Sequence, residues 1–174
     1  MSNYHGMYLG DPRLAPVYAK LQARHATVFV HPTLPCIART CNHSDPIPTR
    51  LLKSAPLADA YVLPMMEYFF DSTRTFADLL LSGTAAAHPD ITFIVPHCGN
   101  ALPSVLDRVC RVSTPPMMIS TTRTVQPLTV PVVKEMFAKQ FMFDLAPEPN
   151  QIHQLLRWAT HDRLVYGSDV PFTP

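Results

Sequence analysis

Several signals are missing from this 174-residue chain, and each absence narrows its role. No block of lysine and arginine stands out and the formal net charge is only +1, so nucleic acid is not an expected partner. No apolar run approaches the roughly 20 residues needed to span a bilayer, so no membrane association is expected. The opening Met1-Ser2-Asn3-Tyr4-His5-Gly6 lacks the charged-then-apolar layout of a secretory signal. The four cysteines, Cys36, Cys41, Cys98 and Cys110, form neither a C-x-x-C pair nor a zinc-ribbon pattern. Reduced thiols in a cytoplasmic protein are therefore expected. Glycine is scarce, with five residues against nineteen prolines. Many prolines stand where a strand ends or a helix begins, including Pro12, Pro32 and Pro103, as a fold with many strand-to-helix transitions requires.

Apolar residues make up 47% of the chain and charged residues 16%, a globular balance at a length that suits one domain over residues 1–174. Three short apolar runs each end on an ionisable side chain. Thr27-Val28-Phe29-Val30 leads into His31-Pro32. Ile91-Thr92-Phe93-Ile94-Val95 leads into Pro96-His97-Cys98-Gly99. Arg163-Leu164-Val165-Tyr166 leads into Gly167-Ser168-Asp169. Delivering functional groups just past the ends of several strands is how a (β/α) barrel builds its active site.

Between the strands the apolar spacing becomes helical. Asp11-Pro12 caps a helix with Leu14, Val17 and Leu21 on one face. Ser72 or Thr73 is expected to cap a second, carrying Phe76, Leu79 and Leu80 and stopping at Gly83. Asn100 and Pro103 open a third with Leu102, Val105, Leu106 and Val109 facing inward. A fourth carries Val132, Val133, Met136 and Phe137, and Asn150 caps a fifth with Ile152, Leu155, Leu156 and Ala159. Phe141-Met142-Phe143-Asp144 is a further strand. Residues 32–60 and 114–128 read as long proline-rich loops. Strands apolar along their length and alternating with helices predict a parallel sheet under helices. The count is four, where a closed barrel has eight, so the expectation is a partial (β/α)8 TIM barrel covering roughly strands 5 to 8. Such a half-barrel exposes sheet edges and apolar surface, which favours a homo-oligomer or a complementing chain.

Each candidate residue has a functional and a structural reading. His31 is a metal ligand or a histidine bonded to backbone. His97, where a strand meets a helix start, moves protons or simply ends its strand. Asp169 ligates a metal and shuttles a proton, or it shapes a turn. Asp144 orients His97 or a ligand, or it caps. Glu67, Asp71 and Arg74 either line the mouth of a site or are charges at a helix start. Cys36, Cys41 and His43 match no zinc spacing and read as loop residues.

Taken together, Val30-His31-Pro32-Thr33, Phe70-Asp71-Ser72-Thr73-Arg74 with Leu81-Ser82-Gly83, Ile94-Val95-Pro96-His97-Cys98-Gly99-Asn100-Ala101-Leu102-Pro103, Phe143-Asp144-Leu145-Ala146 and Tyr166-Gly167-Ser168-Asp169-Val170-Pro171-Phe172 resemble the amidohydrolase-related superfamily. The branch is that of aminocarboxymuconate-semialdehyde decarboxylase and the aromatic-acid decarboxylases, nearest to fungal 6-methylsalicylate decarboxylase-like proteins. The resemblance implies a metal-dependent barrel that removes CO2 from a small aromatic carboxylic acid, with zinc, or alternatively manganese, as cofactor. It implies His31 and Asp169 as metal ligands, Asp169 as proton donor and His97 as its assistant. Two departures stand out. The family's first strand supplies an H-x-H ligand pair, and no H-x-H occurs here. Cys98-Gly99-Asn100 also replaces the usual glycine-rich run after the histidine. An N-terminally truncated enzyme, an inactive half-barrel remnant or binding protein, and a metal-dependent hydrolase are the readings this leaves.

Overall fold

The computed structural model describes residues 1–33, 35, 60–114, 125–146 and 149–171. Cys36, Cys41, His43 and most of the long loop after His31 lie outside the described residues.

A small hairpin comes first. Strands β1 (Asn3–Tyr4) and β2 (Met7–Tyr8) pair antiparallel around His5 and Gly6. Both turn residues have positive φ, 49° and 78°, the hand that matches the twist of the strands it joins. A 3-10 turn over Pro12–Leu14, capped by the Asp11 carboxylate on the Arg13 amide at 2.9 Å, leads into α1 (Ala15–Gln22).

Four strands then alternate with helices. They are β3 (Thr27–Phe29), β4 (Thr92–Val95), β5 (Phe141–Asp144) and β6 (Leu164–Val165), all parallel in the order β3-β4-β5-β6. Helix α2 spans Leu63–Leu81 and the short α3 spans Thr84–Ala87. Helices α4 (Leu102–Val112), α5 (Val130–Gln140) and α6 (Ile152–Leu155) complete the layer. Among the described residues, no helix is long and apolar enough to cross a membrane.

Side-chain alternation sends one face of the sheet toward the helices. Phe93, Phe141 and Phe143 are fully buried there, against Phe76 of α2 and Phe137 of α5. Phe137 lies 5.1 Å from both Phe141 and Phe143, centroid to centroid, and Phe93 lies 5.5 Å from Phe141. Such aromatic pairs contribute about 0.5–1.5 kcal/mol each beyond their burial. The register sets Phe29 beside Ile94 and Ile94 beside Met142, so these three form one row on the opposite face. Among the described residues that face is the more open one, with Phe29 51% exposed.

The expected strands are present, trimmed by a residue or two. Several helix expectations need correction. Ser72 and Thr73 do not cap α2, which begins at Leu63, so both lie well inside it. The Thr73 hydroxyl donates to the Phe69 carbonyl at 2.9 Å, one turn back, which satisfies it within the helix. Val132 is exposed, and Val133, Met136, Phe137 and Gln140 form the buried face of α5. The last helix is regular only to Leu155. Turns carry the chain on, keep Trp158 and Ala159 buried, and let the Trp158 indole donate to Pro103 O at 3.0 Å.

Asp71 is neither a helix-start charge nor a rim residue. It is fully buried inside α2 and holds the N-terminal hairpin. Ser2 Oγ, Asn3 Nδ2 and Tyr8 Oη all donate to its carboxylate, at 2.5, 2.8 and 2.7 Å. Burial first, and then that carboxylate, push the Tyr8 phenol well above the ordinary tyrosine value. Removing one donor leaves two, whereas removing the acceptor takes a partner from all three at once and leaves Ser2 and Asn3 their bonds to Thr33 Oγ1. Tyr8→Phe is therefore expected to cost about 1–2 kcal/mol and Asp71→Ala at least about 3 kcal/mol in urea unfolding. Equal costs would show that the carboxylate is not the shared anchor.

Candidate functional site

The C-terminal ends of β4, β5 and β6 meet on one rim. At the end of β4, Pro96 is extended and the chain then turns sharply through His97, Cys98 and Gly99. His97, Cys98, Gly99 and Asn100 all have positive φ, at 53°, 52°, 83° and 57°. For non-glycine residues this region costs about 1–2 kcal/mol each. The turn is held by short-range bonds. Gly99 N and Asn100 Nδ2 donate to Pro96 O at 3.1 and 2.9 Å, and Asn100 N donates to His97 O at 2.8 Å. Asn100 was expected to open a helix; instead its side chain closes the loop that presents His97. Asparagine's tolerance of left-handed backbone was the available signal for this role.

Asp144, at the end of β5, anchors the same loop. Its Oδ1 accepts from the His97 amide at 3.0 Å and from the Ala146 amide at 3.1 Å. These bonds reach backbone, in the His97 loop and at Ala146, and not the imidazole. Gly167, after β6, packs directly on this carboxylate, and a Cβ there would stand 3.1–3.2 Å from Asp144 side-chain atoms. Strand ends β4, β5 and β6 are thus locked together by one acidic side chain and one missing methyl group.

Asp169 follows, also at positive φ, 52°. Its Oδ2 faces His97 Nε2 at 3.8 Å, and the two side chains are 29% and 21% exposed. That separation is an ion-pair distance, longer than a hydrogen bond. A shift of about 1 Å would let a proton pass directly between the two groups.

His31 is placed differently. It follows β3, at the far edge of the sheet from β6, and its ring packs edge-on to Phe29 at 6.3 Å on the open face. His31 Nδ1 lies 2.8 Å from Pro32 O, which places the proton on Nδ1 and leaves Nε2 as a donor atom for a metal. Three strand spacings, roughly 14 Å along the sheet, separate the ends of β3 and β6. Among the described residues no three His, Cys, Asp or Glu side chains converge as a metal-holding group. His31 and Asp169 suit a divalent ion in kind, but they fall short of the three protein ligands a catalytic site normally has.

Glu67 is buried. The packing role of Gly167 has no local signal, because only tertiary structure sets the Asp144 side chain against it.

Asp144→Asn keeps an oxygen for both amides and is expected to stay within about 1 kcal/mol of the parent. Asp144→Ala strands the His97 and Ala146 amides and is expected to cost about 2–4 kcal/mol in urea unfolding. Indistinguishable melts for the two variants would refute the anchoring role.

The amidohydrolase family profile matches residues 1–174. The 6-methylsalicylic acid decarboxylase acuB of Aspergillus aculeatus is 29% identical over 172 residues, which is 96% of this chain and 45% of that protein. A crystal structure of an amidohydrolase II superposes with a TM-score of 0.71 at 30% identity, covering 99% of this chain and 48% of that one. The 5-carboxyvanillate decarboxylase of Novosphingobium aromaticivorans, solved with manganese and 4-hydroxy-3-methoxy-5-nitrobenzoic acid, superposes at 0.65 with 18% identity, over 99% of this chain and 46% of that one. This chain spans under half the length of these relatives. The profile match covers the whole of this sequence, and the chain belongs to the amidohydrolase family.

Proposed function

We propose that this chain carries the proton-transfer part of a non-oxidative decarboxylase acting on a substituted aromatic acid of the 6-methylsalicylate kind. The observation that carries this reading is the His97 Nε2–Asp169 Oδ2 approach of 3.8 Å on the rim where three strand ends meet. The similarity to a fungal 6-methylsalicylic acid decarboxylase supplies the substrate class.

In this reading protonated Asp169 delivers its proton to the ring carbon that bears the carboxylate. The bond from that carbon to the carboxylate then breaks, its electron pair restores the aromatic ring, and CO2 leaves. One proton is consumed per CO2 released, and His97 returns a proton to Asp169 from solvent. The locked turn from His97 to Asn100 keeps the imidazole in place, so little reorganisation is needed at the moment of transfer. His31 and Asp169 are the ligands this chain offers to a divalent ion, zinc or manganese, whose charge when bound would hold and polarise an anionic substrate. The manganese in the carboxyvanillate decarboxylase structure supports a divalent ion of that kind. A half-barrel that binds such an acid without turning it over is the second reading. The shortfall of metal donors among the described residues favours it.

Incubation of the purified chain with Mn2+ or Zn2+ and 6-methylsalicylate, with CO2 release followed, tests the first reading. In D2O the product should carry deuterium at the carbon that lost the carboxylate. Asp169→Asn is expected to slow release by at least about 100-fold, the usual span for losing a positioned acid. Equal rates for parent and Asp169→Asn would sink the proton-donor role. Tight binding of the acid with no CO2 would leave the second reading.

A further inference from the structure

His31 and the buried Asp71 are joined by an unbroken line of hydrogen bonds. His31 Nδ1 lies 2.8 Å from Pro32 O. That carbonyl belongs to the same peptide group as the Thr33 N–H, and a peptide group is planar and rigid. The Thr33 N–H donates to Ser2 Oγ at 3.1 Å. Ser2 Oγ in turn donates to Asp71 Oδ2 at 2.5 Å. Each direction is forced. A carbonyl and an ionised carboxylate can only accept, so the Ser2 proton goes to Asp71 and the His31 proton sits on Nδ1. The line runs from imidazole to peptide to hydroxyl to carboxylate.

The two ends of this line differ in kind. His31 is exposed and meets Phe29 edge-on at a centroid distance of 6.3 Å, so close packing does not fix its ring. Asp71 and Ser2 are fully buried. Ser2 is fastened to α2 at two points, through Oγ on Asp71 and through its carbonyl, which accepts from Thr75 Oγ1 at 2.9 Å. A parallel link runs through Thr33 Oγ1, which lies 2.9 Å from Ser2 Oγ and accepts from Asn3 Nδ2 at 3.3 Å. Asn3 Nδ2 also donates to Asp71 Oδ2 at 2.8 Å. Hydrogen bonds in series polarise one another. The carboxylate draws the Ser2 proton and makes Ser2 Oγ a stronger acceptor for the Thr33 N–H. That donation makes Pro32 O a stronger acceptor for the His31 Nδ1 proton, and the lone pair on Nε2 becomes more basic.

We propose that Asp71 is a positioning residue for His31. Acting through Ser2 and the Pro32–Thr33 peptide, it holds the imidazole proton on Nδ1 and keeps Nε2 unprotonated as a donor atom. A ligating histidine is commonly prepared by a carboxylate or carbonyl on its other ring nitrogen. Here a carbonyl makes the direct contact, and a buried carboxylate stands behind it across a hydroxyl. The purpose of this arrangement rests on His31 as a metal ligand, the reading given above. The line of bonds itself depends on no metal.

Two substitutions separate orienting the ring from anchoring the hairpin. Ser2→Ala and Tyr8→Phe each take one donor from Asp71, but Tyr8→Phe leaves the line to His31 intact. In metal-free protein carrying 15N-labelled histidine, two-bond 1H–15N correlations report which ring nitrogen holds the proton. The spectra are taken at mildly alkaline pH, where imidazole is neutral, and the His31 signals are those missing from His31→Gln. The parent should show the proton on Nδ1, and Tyr8→Phe should keep it there. Ser2→Ala should move His31 toward the form protonated on Nε2. A parent whose His31 carries its proton on Nε2 overturns the proposal without any variant. So does a cooperatively melting Ser2→Ala protein that keeps the parental pattern, or a Tyr8→Phe protein that loses it. Mn2+ affinity, read from the paramagnetic resonance of free Mn2+, should fall about 10-fold in Ser2→Ala and hold at the parental value in Tyr8→Phe. Equal losses in the two variants would reduce Asp71 to an anchor of the hairpin and overturn the positioning role. A parent that binds no Mn2+ yet shows the contrast in ring protonation supports this inference and counts against the ligand assignment alone.

Discussion

Every feature of this chain depends on the parallel register of four short strands. Side chains alternate across a strand, so one register decides both faces at once. With Phe29, Ile94 and Met142 in one row, Val28, Phe93 and Phe141 fall in another and meet the helices. A shift of one residue would turn Phe93, Phe141 and Phe143 out of the aromatic core. It would also move His97 and Asp144 off the rim they share. The core and the site are therefore consequences of the same backbone pairing.

Strain is concentrated where the site is. His97, Cys98, Asn100 and Asp169 all hold left-handed backbone, and three of them fall in a single turn. Such conformations persist only when the surroundings over-determine them. Here the surroundings are the Asp144 carboxylate, the Asn100 amide and the close packing of Gly167. The helix layer beneath, with Trp158 bonded to Pro103 O at the start of α4, gives that turn a rigid floor. A proton relay benefits from such rigidity, because a misplacement of 1 Å is large beside a hydrogen bond.

Much of this was legible before any coordinates. The four sheet strands follow from apolar runs that stop at a histidine or an aspartate, and the residues at those stops are the ones found on the strand ends. Features that depend on distant partners were not legible. Asp71 reads as a helix-start charge, yet its three donors come from positions 63 to 69 residues away in sequence. Ser72 and Thr73 look like caps because a hydroxyl serves a cap and an i−4 carbonyl equally well. The last helix kept its buried face and lost its regular winding, since Trp158 and Ala159 reach the core through turns.

The sequence by itself determined which chemical groups stand at the strand ends, because that depends only on local order along the chain: apolar run, then imidazole or carboxylate. It also carried the family resemblance, since those groups and their neighbours are read directly as residues. Only the tertiary structure decided which groups meet. His97 and Asp169 face each other because the ends of β4 and β6 are tied through Asp144 on β5. His31 stands apart because β3 lies at the other edge of the sheet. Strand order in space is set by burial and backbone pairing over long separations, and no local pattern in the chain encodes those distances.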